Sequence, residues 1–164
     1  MARSKIKHFK GFSIVDGDIR VTLNMSRFER QFQRAQYQLD GAVMNSMVPF
    51  MPMVTGSFIN ATRAASAAVQ GSGEVYAAYG PQGRFLYEGK TMVDEKTGST
   101  WARRGAKKVL VSEFGGKTNA KPDLTYTRQA HPKAQSHWFD AAKKADGKKW
   151  IRDVKKTAGG GQRG

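Results

Sequence analysis

The sequence predicts an α+β fold: a small antiparallel sheet, a long N-terminal helix and a C-terminal helix packed on it, and an extended β-arm. Three observations predict it. Ile19, Val21 and Leu23 alternate with Arg20, Thr22 and Asn24, the period of a half-buried strand. Phe28, Phe32, Ala35, Leu39 and Ala42 then recur at three- and four-residue steps, the stripe of an amphipathic helix. Beyond Lys90 the apolar content thins and glycines accumulate until a second helical stripe begins near residue 133.

Residues 1–11 read as a flexible basic arm, and Asp16-Gly17 as the turn before the first strand. Ser26-Arg27-Phe28-Glu29 has the form of a capping box, which starts the first helix. That helix runs about 20 residues and ends near Met47, with Arg27, Arg30, Arg34, Gln38 and Asp40 on its outer side. Pro49 and Pro52 stop it and leave an extended stretch whose Phe50, Met51 and Met53 are expected to cover the core. Residues 63–70, rich in alanine and valine, read as a strand. Gly71-Ser72-Gly73 reads as a tight turn, with residues 74–79 pairing back as a hairpin. Pro81 to Gly89 suits a short helix with glycine as its C-terminal cap.

Residues 90–123 contain Gly98, Gly105, Gly115 and Gly116 and two short apolar pieces, Met92-Val93 and Val109-Leu110-Val111. A structureless loop of that length is uncommon, so a protruding β-arm is expected. Leu124 to Arg128 reads as a final strand and His131-Pro132 as a corner. A helix follows from about Lys133 to Ala158, with Ala134, Trp138, Ala142, Ala145, Trp150, Ile151 and Val154 on its apolar side and Gly147 weakening its middle. Residues 12–158 are thus expected as one domain, with 159–164 as a loose glycine-rich tail.

The chain has 164 residues, of which 39% are hydrophobic, a globular share that argues against wholesale disorder. There is no cysteine, which excludes disulfides, thiolate metal sites and a thiol nucleophile. No apolar run is long enough to cross a bilayer, and the basic start has no apolar segment behind it of the kind a secretory signal needs.

Charge is the dominant feature. The formal net charge is +15, and a field of that size attracts polyanions while repelling itself. It is unevenly distributed: residues 1–100 hold 12 lysines and arginines against 8 acids, whereas residues 101–164 hold 16 against 5. In the C-terminal part the candidate DNA- or partner-facing residues are Arg103, Arg104, Lys107 and Lys108 in the arm. Lys144, Lys148, Arg152 and Lys155 form one ridge at helical spacing on the last helix. Such a ridge neutralises phosphates without reading bases. No helix-turn-helix, zinc-finger or basic-zipper pattern accompanies it.

Catalytic patterns are missing from the sequence. His131 and His137 are six residues apart across a proline, not the spacing that puts two ligands on one helical face, and Asp140 adds only a weak partner. Gly71-Ser72-Gly73 lacks the following Lys-Ser/Thr of a phosphate-binding loop. No nucleophile elbow or acidic pair stands out. No catalytic residue, metal or cofactor is expected.

Three segments resemble a known family. Pro52-Met53-Val54-Thr55-Gly56-Ser57-Phe58 comes after a long helix. Tyr76-Ala77-Ala78-Tyr79 is followed by Tyr87-Glu88-Gly89. His131-Pro132-Lys133-Ala134 leads to His137-Trp138-Phe139. In this order they resemble the minor capsid, neck or tail-completion proteins of long-tailed (siphovirus-like) bacteriophages, over roughly residues 20–158. The basic N-terminal arm and the length of the 90–123 segment depart from that pattern. The resemblance implies a non-enzymatic virion protein at the head–tail junction, made in the host bacterial cytoplasm. It implies a homo-oligomeric ring, usually of six copies. That ring would lie between a head-completion or adaptor ring and a tail-terminator or tail-tube ring, around a channel carrying double-stranded DNA. The alternative, from charge alone, is a free nucleic-acid-binding protein without sequence preference.

Overall fold

A computed structural model describes residues 12–16, 19–101 and 103–159. The expected basic arm at 1–11 lies outside these residues, as does nearly all of the glycine-rich tail. The α+β class holds, with four helices, short antiparallel strand pairs, and the N-terminal and C-terminal helices packed together. The described chain divides into two compact units. Unit 1 draws on residues up to 46, 63–76 and 142 onward; unit 2 comprises 47–62 and 77–141.

In unit 1, strands β1 (Phe12–Asp16) and β2 (Ile19–Leu23) pair antiparallel, in a register running from Phe12 opposite Leu23 to Asp16 opposite Ile19. Helix α1 spans Ser26–Met47, ending where the two prolines predict. Its start differs from the expected box: Asn24 Oδ1 accepts the Ser26 amide at 2.9 Å, and Glu29 accepts from Gln33 Nε2 at 2.9 Å. Helix α4 spans Trp138–Ala158, with Asp140 in its first turn and Lys155 and Lys156 in its last, as its dipole favours. Within this unit α4 meets α1 through Trp150, whose Nε1 donates to Ser46 Oγ at 3.2 Å, and through Thr157 Oγ1, which donates to Gln38 Oε1 at 2.7 Å.

Asp40 overturns its expected place on the outer face of α1. It is 4% exposed, and its Oδ2 accepts the amides of Gly71 at 2.7 Å and Gly73 at 3.1 Å. Both glycines have positive φ, 91° and 79°, and the turn they make aims two alternate amides at one carboxylate. Gly71-Ser72-Gly73 is therefore a turn, but not a hairpin turn. The residues expected as its first strand belong largely to helix α2, Ser57–Ala68. Alanine is the best helix former, and it dominates this stretch more than valine does. Residues 74–79 consequently have no partner strand. The hydroxyl of Ser66 takes the Tyr76 amide at 3.1 Å instead.

In unit 2, the 3-10 turn at Val48–Phe50 has its proline at the start. Helix α3, Gly83–Glu88, ends on Gly89 at φ 72°, the glycine cap expected from sequence. Strands β3 (Met92–Asp94) and β4 (Lys108–Leu110) pair antiparallel inside the segment read as a β-arm. Val93 and Asp94 at its root are fully buried. The expected strand at 124–128 is not formed. An isolated bridge between Lys90 and Asp123 and a bond from the Leu124 amide to Gly89 O at 2.9 Å stand there instead. Residues 133–137 precede α4 as a turn rather than beginning it, because His137 adopts φ 49° and interrupts the helical path.

Trp138 is the centre of unit 2. It is fully buried, Tyr87 and Phe58 set their rings edge-on to it at 4.9 and 5.9 Å, and its Nε1 donates to Ala77 O at 2.7 Å. Such edge-to-face pairs add to the area an indole buries. Met47, Met51, Ile59 and Ala134 complete the buried apolar residues of the unit apart from Val93.

Candidate polyanion-facing and partner-facing surfaces

The eight predicted basic residues fall into two sets, one in each unit. Lys144, Lys148, Arg152 and Lys155 lie along α4 in unit 1, all exposed. The reason is periodic: Ala142 and Trp150 on the same helix are buried, and residues two or five places from them, as these four are, fall on the opposite side of the helix and turn outward. Arg152 has an acidic neighbour, Asp153, at 3.2 Å, and both are exposed to solvent, so that pair holds little of its charge back.

Beside the ridge lies a groove that was not foreseen from the sequence. Arg27, Gln31, Arg34 and Gln38 line it from α1, and Asp153, Lys156 and Thr157 from α4; its volume is about 730 Å³. Three cations against one acid make it an anion-accepting surface. The signal was present in the chain, since residues 27, 31, 34 and 38 recur at helical spacing on the outer face of α1. Nothing in the sequence said that α4 would bring Lys156 alongside.

The second set sits on the β3–β4 hairpin in unit 2 and is heterogeneous. Arg104 and Lys107 are exposed. Arg103 is a structural residue. Its Nε meets Oδ2 of buried Asp94 at 3.2 Å and its Nη2 meets Oδ1 at 3.4 Å. The same carboxylate accepts the amides of Lys96 at 2.8 Å and Thr97 at 3.1 Å. The Arg103 guanidinium, aided by these amides, holds the Asp94 carboxyl well below the usual carboxylate range. Lys108 Nζ donates to Thr100 O at 3.0 Å, closing the same loop. Trp101 on the same loop is 88% exposed, the most exposed aromatic among the described side chains.

The two histidines weighed as metal ligands have other partners. His137 Nε2 lies 3.3 Å from Glu88 Oε2, and His131 Nδ1 meets Met51 O at 2.8 Å. Among the described residues no three His, Asp or Glu side chains are grouped to hold a metal, and no helix is long and apolar enough to cross a membrane.

No family model, curated protein or solved structure matches this chain.

Proposed function

We propose that this chain is a structural protein of a phage virion, a subunit of the head-to-tail connector at the neck or tail-completion layer. In this reading the subunits form a ring, most simply of six copies. The ring joins a head-completion or adaptor ring to a tail terminator and surrounds the DNA channel, and the chain has no enzymatic role.

The observation that carries the proposal is the convergence of the three resembling segments on Trp138. Phe58 comes from the first, Ala77 and Tyr87 from the second, and Trp138 itself from the third; all meet at that indole although they span 80 positions of sequence. The α4 ridge adds support, because exposed cations without a base-reading element suit a wall beside DNA or an acidic neighbouring ring. The test is electron microscopy of purified particles with this chain labelled. Label at the head–tail junction is expected, and its absence from tailed virions ends the proposal.

A second reading, a free nucleic-acid-binding protein, is favoured by the cationic α1–α4 groove. It expects tight binding to duplex DNA by the isolated protein, with steep loss as salt rises. Weak retention in a filter-binding assay at low salt eliminates it.

A further inference from the structure

The groove between α1 and α4 in unit 1 has a chemistry that narrows what it can hold. Every side chain lining it is polar: two arginines and two glutamines from α1, an aspartate, a lysine and a threonine from α4. The centre of a protein–protein contact carries aromatic or aliphatic anchors, and this groove offers none. It also has no aromatic ring on which an unpaired base could stack. Arginine, lysine and glutamine are instead side chains that hold phosphate oxygens.

The cations are available. The ion pairs among the described residues involve none of Arg27, Arg34 and Lys156, and all three are exposed. Arg27 stands in the first turn of α1, where the helix dipole favours an acid. Residues set against their local preference gather at functional sites. Thr157 Oγ1 donates to Gln38 Oε1 at 2.7 Å, which fixes that amide and leaves its Nε2 to donate to an incoming oxygen. Lys156 follows Arg152 by one helical turn, so the groove wall continues into the α4 ridge. Asp153 is the exception. It lines the groove among these cations, its Oδ1 meets Arg152 Nε at 3.2 Å, and a carboxylate there repels any anion that enters.

We propose that the groove seats the phosphate backbone of a nucleic-acid duplex, held by Arg27, Arg34 and Lys156 with Gln38 donating beside them, and that Asp153 keeps the hold weak. This deepens the reading of a wall beside DNA, on which it rests. Backbone contacts carry no sequence information, so a duplex can move past them. A channel wall must attract the strand and still release it, and one acid among three cations does both.

Fluorescence anisotropy with a labelled mixed-sequence duplex tests this on the full chain. It is run at about 0.1 M salt, where exposed charges more than about 10 Å apart are largely screened. The groove variant combines Arg27→Gln, Arg34→Gln and Lys156→Gln. A control combines Arg84→Gln, Lys117→Gln and Lys121→Gln, which lowers the net charge equally at exposed positions of unit 2. Circular dichroism confirms that each is folded. The groove variant is expected to bind about tenfold or more weakly, and the control within about threefold of wild type. Asp153→Asn is expected to bind about fivefold more tightly, and to lose that gain in the groove-variant background. A control that weakens binding as much as the groove variant overturns the groove as the seat. A wild type that binds no duplex also overturns it and leaves the groove to an acidic protein. Tighter binding of the single strand than of its duplex overturns the duplex as occupant. An Asp153→Asn gain that is absent, or that persists without the groove cations, overturns the role given to Asp153. None of these results moves the label in the particle, so the virion reading is decided separately by microscopy.

Discussion

Asp94 shows how one side chain can organise a whole loop. Fully buried at the end of β3, it gathers the amides of the following turn and the guanidinium of Arg103. Its folded pKa lies below that of an unfolded aspartate, about 4. Its contribution to stability is therefore complete above about pH 4 and is lost as pH falls through the lower folded value. Asp94→Asn is expected to lower the thermal midpoint at neutral pH. The gap to wild type should narrow in melts taken at progressively lower pH below about 4; a gap of constant size would show that the charge is not what matters. Gly147 makes the opposite case. It lies inside α4, and a Cβ there would meet only Lys143 Cγ at 3.7 Å, an ordinary separation. Gly147→Ala is expected to stabilise the protein by about 1 kcal/mol in chemical denaturation.

At the scale of elements, legibility followed the strength of the local signal. Helix α1 and the end of α3 were readable because a long apolar stripe, two prolines and a glycine cap all pointed one way. Helix α2 was misread since alanine carries no periodicity, being small enough for either face of either structure. The partner strand β1 went unread for want of its own turn-to-turn frame, and the irregular run from 111 to 137 has bonds that come from distant carbonyls, such as Gln135 N to Phe50 O at 3.0 Å. Of the site, the α4 ridge was legible as spacing. The engagement of Arg103 and the groove beside α1 were not, because both depend on what lies opposite. Replacing Lys144, Lys148, Arg152 and Lys155 with glutamine should leave the melting midpoint within a few degrees of wild type. If the ridge faces phosphates, the slope of log affinity for duplex DNA against log salt should become shallower by about 0.9 for each phosphate no longer neutralised. An unchanged slope would assign the ridge to a protein neighbour or to solvent.

For the whole molecule, the net charge of +15 is a standing cost to compactness as well as a means of attraction. Repulsion between exposed charges weakens as the screening length falls from about 30 Å at 0.01 M salt to about 8 Å at 0.15 M. The isolated protein's melting midpoint is therefore expected to rise over that interval in calorimetry, the reverse of what a protein held by surface ion pairs would do. A polyanion should raise it further at fixed salt by binding the folded form.

The chain passes between its two units four times, and three of the crossings fall inside α1, α2 and α4. This has a consequence for the order of synthesis. Unit 2 has all its residues once position 141 has been made, whereas unit 1 waits for Trp150 and Thr157 to reach Ser46 and Gln38. While translation continues, the early residues of unit 1 must persist without their last helix, with the cationic face of α1 open to whatever polyanion is nearest.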